Sequence, residues 1–227
     1  MTILLPVITG VGCLLSFLLM LRDMDDQKKV PENEEEGVRL KDYTRFKAAF
    51  IYSAVCVVLT VIVAVFLPKM HPDNGVWENV KRMVLLSILW PIAYIDFKTL
   101  RIPNLYIVYG LICRAVILVF EIFLGHQYVW QMLLSEAIAA VALFLAAVLC
   151  ALVVKNGIGF GDMKLFVVMG LMLGLDGVWG AVFLALIVSF LIAVVMLITK
   201  KKTRKDAIPF GPALVLGTYL SICLSGM

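Results

Sequence analysis

The sequence predicts an all-α, polytopic membrane helix bundle of about eight transmembrane helices, and three observations carry the prediction. Of 227 residues, 63% are hydrophobic and 16% charged, with a mean hydropathy of +1.02, against roughly 25% charged in soluble domains. The apolar residues gather into runs that cross or nearly cross the ~30 Å hydrocarbon core. Lysine and arginine gather in alternate connections, as they do in membrane proteins. So much membrane-spanning chain leaves no room for a separate soluble domain of ~100 residues. The net charge of +4 is dispersed, which argues against a nucleic-acid-binding face.

The first run, 3–21, starts apolar, without a basic leader or a small-x-small cleavage site, and is expected to be a retained span rather than a signal peptide. The second is 48–67. Between them, residues 22–47 hold Asp23, Asp25, Asp26, Glu34, Glu35 and Glu36 around Pro31, the composition of a solvated linker. A shorter run, 83–95, ends at Asp96. Runs 104–124 and 128–154 follow, then a second short one, 165–175, and finally 177–199 and 209–225. Residues 1–80 are thus expected to form a two-helix N-terminal unit, and residues 81–227 a six-helix core.

Arg22, Lys28, Lys29, Arg39, Lys41, Arg45 and Lys47 follow the first span; Lys200, Lys201, Lys202, Arg204 and Lys205 follow the seventh. An even number of spans separates these clusters, so they share a side, read as cytoplasmic. Lys98, Arg101, Lys155 and Lys164 fall on that side too. Lys69, Lys81 and Arg82 fall on the other, with His71 and His126. Both termini are expected outside. Cys13, Cys56, Cys113, Cys150 and Cys223 stand alone in apolar runs, a spacing that suits packing and neither zinc nor redox chemistry. No metal or cofactor is expected.

The chemistry is expected at two carboxylates. Run 83–95 has 13 residues and run 165–175 has 11, about 20 and 16 Å of helix. Asp96 and Asp162 would therefore lie below the membrane surface, where a charge is costly unless it serves a function. Gly157, Gly159 and Gly161 precede Asp162, Pro103 follows Asp96, and Pro209, Gly211 and Pro212 open the last run. Such backbone breaks are tolerated at depth only inside protein or beside a cavity, and all three fall on one side. Two neighbouring aspartates share a proton, so that one activates water while the other donates to a carbonyl. No activated serine or cysteine competes. Arg114 and Glu136 fall at similar depth and are expected to form an interhelical salt bridge, with Glu121 the remaining charge inside a span. Gly170 and Gly174 form a small-xxx-small pair suited to tight packing. A proton-coupled transporter using Asp96 and Asp162 as relays is the rival reading, but transporters place their site at the midplane between matching halves.

Three segments carry a resemblance: Asp96 followed by Ile102-Pro103-Asn104, then Gly159-Phe160-Gly161-Asp162-Met163-Lys164-Leu165, then Ile208-Pro209-Phe210-Gly211-Pro212. Together they resemble a type IV prepilin peptidase, one of the GxGD intramembrane aspartyl proteases, from about residue 83 to the C-terminus. The resemblance implies that Asp96 and Asp162 are catalytic and that Gly159, Gly161, Lys164, Pro209 and Gly211 bind substrate or position the pair. It implies a plasma-membrane enzyme of type IV pilus assembly or protein secretion, whose substrate is a prepilin or pseudopilin cut after a glycine where its basic leader meets its hydrophobic helix. Larger bacterial members carry a cytoplasmic insert with paired cysteines that bind zinc, and methylate the new N-terminus using S-adenosylmethionine. Here the corresponding loop, 22–47, has no cysteine, so the resemblance implies a peptidase without zinc or methyl transfer.

Overall fold

The computed structural model describes residues 4–27, 46–124, 128–153, 158–199 and 209–225. The acidic linker over 28–45, His126, Lys155, Gly157, the basic cluster at 200–205 and Ile208 lie outside the described residues. Those described form seven helices and no strand: α1 Leu4–Gln27, α2 Phe46–Met70, α3 Val76–Thr99, α4 Asn104–Phe123, α5 Val129–Val153, α6 Phe160–Ile198 and α7 Gly211–Ser225. Five of them, α1, α2, α4, α5 and α6, are long and apolar enough to cross a bilayer. The chain is a multi-pass helical membrane protein.

One expectation changes and one is refined. The sixth and seventh runs are separate as expected but meet without a loop: α6 is two helices joined at Gly174, where φ is 66° and ψ −173°, and the chain reverses there, since Gly170 and Gly174 face Ala140 and Ser135 of α5 while Gly180 and Ala185 face Ser221 and Gly217 of α7. The third run is not short. It is the middle of α3, which has 24 residues, about 36 Å of helix, and continues through Lys81 and Arg82. Both are buried, at 4% and 8% exposure. Lys81 Nζ lies 2.5 Å from Glu136 Oε1 and 3.6 Å from Glu121 Oε1, and Arg82 donates to Asn79 Oδ1 at 3.3 Å. A charge with such partners does not end a helix. Shortness therefore says nothing about the depth of Asp96, and applies only to the first half of α6, 160–173.

α3 is the axis of the bundle, and every residue from Asn79 to Asp96 is buried. Close approaches fasten its neighbours to it and to one another. On α1, a Cβ at Gly12 would stand 2.9 Å from Ser87 Oγ of α3. From α2, the Tyr52 hydroxyl donates to the Trp90 carbonyl at 3.2 Å, and Thr60 meets the Tyr219 hydroxyl of α7. The first half of α6 lies against α5, where Gly170 is so close that a Cβ would be 2.5 Å from Ala140 Cα; the second half lies against α7, where a Cβ at Gly217 would be 2.3 Å from Ala185 N. Gly170 is thus a packing glycine as expected, whereas Gly174 marks the helix break.

The expected Arg114–Glu136 pair is present, with Nη2 2.6 Å from Oε2, and it belongs to a larger group. Arg114 Nη1 lies 2.9 Å from Glu121 Oε2, and Lys81 joins both carboxylates. All four residues are at most 5% exposed, so two cations balance two anions inside the bundle.

Gly170→Ala and Gly217→Ala are each expected to cost about 1–3 kcal/mol through overpacking against backbone. Gly10→Ala, with nothing within 4 Å, serves as a near-neutral control; thermal unfolding of the solubilised protein measures all three. Glu136→Gln leaves Lys81 and Arg114 with one carboxylate between them, and is expected to cost about 3–5 kcal/mol by the same measurement.

Candidate active site

The three sequence segments converge at one end of the bundle. α3 ends just beyond Asp96, at Leu100, whose φ of 54° and ψ of 35° put a leucine in the left-handed region, a conformation costing roughly 1–2 kcal/mol. Its N–H donates back to the Asp96 carbonyl at 2.8 Å. This turn sends Ile102 and Pro103 across the start of α6, where a Cβ on Gly161 would stand 2.9 Å from Ile102 Cβ. Gly161 is therefore small so that the Ile102-Pro103 turn can rest on it.

Asp96 is 6% exposed. Its carboxylate faces the beginning of α7: the Gly211 N–H donates to Oδ2 at 2.7 Å, and the backbone at Phe210 also faces it. A helix N-terminus presents unpaired N–H groups and a partial positive charge, and so favours an anion. Gly211 has no room for a side chain, because a Cβ would lie 3.0 Å from both Cβ and Oδ2 of Asp96. Pro209 is buried in the turn ahead of it.

Asp162 stands on the first turn of α6, three residues after Gly159, whose extended backbone starts the helix. It lies close enough to Asp96 for the two carboxyl groups to interact electrostatically. Its Oδ1 is buried and has no hydrogen-bond partner among the described residues. A Cβ on Gly159 would come 3.2 Å from Oδ2, so a glycine also borders this carboxyl, less tightly than Gly211 borders Asp96.

Lys164 Nζ donates to Asn104 Oδ1 at 2.9 Å and lies 4.6 Å from the centre of the Phe160 ring. It ties the first aspartate's trailing segment to the second aspartate's helix. Phe166 meets Phe210 edge to face, with centroids 6.0 Å apart. Sequence reasoning missed this ring pair, which joins α6 to the turn before α7. Its only signal was an aromatic inside the Pro209 to Pro212 break.

From Asn104 and Lys164 an apolar groove of about 360 Å3 extends along Ile107, Val108 and Leu111 of α4, Phe144 of α5, and Val167 of α6. A more polar cavity of about 430 Å3 lies toward the opposite end of α3, beside Glu78, Lys81, Arg82, Glu136 and Gly174. The aspartates are remote from that cavity. Chemically, the site offers two carboxyl groups that each face backbone N–H, at Gly211 for Asp96 and at Gly159 for Asp162, with one buried Asp162 oxygen still available.

Gly211→Ala is expected to cost about 1–3 kcal/mol, because Cβ contacts at 3.0 Å force α7 away from α3. Gly159→Ala meets only a carboxylate oxygen, at 3.2 Å, and is expected to be milder. Denaturant or thermal unfolding of the two variants side by side checks the order.

Residues 83–198 match the model of the type IV leader peptidase family. Over 139 residues the chain is 30% identical to the prepilin leader peptidase/N-methyltransferase of Bacillus subtilis strain 168, an alignment covering 61% of this chain and 53% of that protein. It thus spans about half the length of that relative. No solved structure gives a significant match.

Proposed function

Since the chain belongs to the type IV leader peptidase family, we propose that it is an aspartic endopeptidase that removes the short basic leader of prepilin-like or pseudopilin substrates at the cytoplasmic boundary of the cell membrane. Asp96 and Asp162 are its catalytic pair. The observation that carries this reading is their convergence: three segments distant in sequence meet so that these two carboxyl groups interact, and Asp162 Oδ1 is left without a partner among the described residues.

In this mechanism one carboxylate takes a proton from water, and the water oxygen attacks the scissile carbonyl carbon. The other carboxyl group donates its proton to the carbonyl oxygen. Collapse of the tetrahedral intermediate returns one hydroxyl proton to the second carboxylate as the C=O re-forms and breaks the C–N bond, and the leaving amine takes up the proton drawn from water, which restores the pair. The Gly211 N–H holds Asp96 Oδ2 in place. The scissile segment must be extended to be cut, and the glycine-flanked backbone beside Phe160 and Phe210 supplies groups for it to pair with. The apolar groove beside Lys164 accommodates the beginning of the substrate's hydrophobic helix.

The basic connections support a cytoplasmic position for this end, with both termini outside. Burial of Lys81 and Arg82 strengthens that assignment, since these were two of the three basic residues on the other side and neither is a loop charge. In this reading α1 and α2 flank the catalytic helices. The absence of cysteine between residues 22 and 47, a stretch that includes the end of α1 and the start of α2, supports a peptidase without zinc or methyl transfer.

Co-expression with a pilin-like substrate tests the assignment. Wild type is expected to shorten the substrate by its leader, while Asp96→Asn and Asp162→Asn each lower processing by at least ~10³-fold, on the order of a lost acid or base. Normal processing by both variants would refute the pair. Mass spectrometry of the product is expected to show an unmethylated N-terminus.

A further inference from the structure

The break in α6 is closed by side chains from two other helices. In an unbroken helix the Leu175 N–H would bond the Leu171 carbonyl, four residues back. Here the Leu171 carbonyl accepts from Arg114 Nε of α4 at 3.1 Å, and the Leu175 N–H donates to Ser135 Oγ of α5 at 3.1 Å. The two groups parted by the break each have a dedicated partner. Gly174, at φ 66°, lies between them, and a Cβ there would stand 3.2 Å from Ser135 Oγ. Backbone, conformation and neighbouring side chain all specify this one point.

Arg114 is itself immobilised. Its Nε and Nη2 lie 2.8 and 2.6 Å from Glu136 Oε2, and Nη1 lies 2.9 Å from Glu121 Oε2. Lys81 of α3 closes the group through both carboxylates. The break is thus referenced to α3, the helix that carries Asp96. On the other side of it, residues 160–173 form a half-helix lying on α5 at Gly170, with Asp162 on its first turn. Gly174 is about 18 Å of helix from Asp162. A helix is stiff over that length, so a 5° change at the break would move Asp162 by about 1.5 Å, and about 1 Å of misplacement is enough to slow a reaction 10²-fold.

We propose that Arg114 and Ser135 are positioning residues: by latching the α6 break they set where the Asp162 half-helix stands relative to Asp96. The part of this that concerns activity rests on the peptidase reading above; the part that concerns geometry does not.

The test uses the full chain in lipid nanodiscs, with Ser135→Ala, Ser135→Thr and Arg114→Lys. Nitroxide labels at positions 160 and 190, on either side of the break in a cysteine-free background, report the bend of α6 by pulsed electron resonance. Cleavage of a pilin-like substrate, scaled to folded protein, reports kcat and KM. Ser135→Ala is expected to broaden or shift the wild-type distance and to lower kcat about 10-fold with KM within about twofold. Ser135→Thr keeps the hydroxyl and is expected to restore both. Arg114→Lys keeps the charge but loses the forked contacts, and is expected to act like Ser135→Ala; should it not fold, the two Ser135 variants decide. An unchanged distance in Ser135→Ala overturns the proposal, whether or not kcat falls. So does a changed distance with unchanged kcat per folded molecule, which would make the latch a stability element alone. If wild type cleaves no pilin-like substrate, the peptidase reading fails, while the distance measurement still decides the latch.

Discussion

In the hydrocarbon of a bilayer, a backbone group that leaves helical pairing has no water to turn to, and the irregular points of this bundle are organised by that shortage. Asp96 answers it twice. Its carbonyl accepts the Leu100 N–H that closes α3, and its carboxylate accepts the Gly211 N–H that opens α7. One residue thus joins the end of one helix to the start of another, and the Ile102-Pro103 turn, α7 and the head of α6 take their places around it. The requirement that would make this position valuable for catalysis, a carboxylate held at depth, is the same one that lets two helices end there.

The opposite half of the bundle meets the same constraint with a charge-neutral cluster. Burying four ionised side chains seldom stabilises a protein relative to an apolar core. What Lys81, Arg114, Glu121 and Glu136 provide is directionality, since guanidinium and carboxylate groups accept few alternative geometries. They fix the register of α3, α4 and α5 where apolar contacts alone would let helices slide. The polar cavity beside them shows that this end is built from polar groups rather than closed by packing.

Much of the candidate site was legible because its elements are local. The glycines before Asp162, the prolines after Asp96 and before Gly211, and the apolar runs between them are all visible along the chain. What escaped depends on packing. Lys81 resembles a loop charge because its partners Glu121 and Glu136 lie 40 and 55 residues away on other helices, and Arg82 because its partners Glu78 and Asn79 stand beside it in a polar stretch; a positive-inside count treats every cation as solvated. This misreading shortened α3 on paper and tied the setting of Asp96 to helix length, when what surrounds it is the start of α7. Gly174 was read as a packing glycine because its spacing from Gly170 is right for one; only its φ reveals a break. The pairing of Arg114 with Glu136 was legible, since both charges sit at similar depth in neighbouring runs.

α7 has 15 residues, about 22 Å of helix, against ~30 Å of hydrocarbon. Its close approach to Ala185 at Gly217 and its bond to Asp96 leave it little freedom to shift along its axis. A shift of this helix would carry the Gly211 N–H with it, so any strain placed on α7 is passed directly to the Asp96 carboxylate.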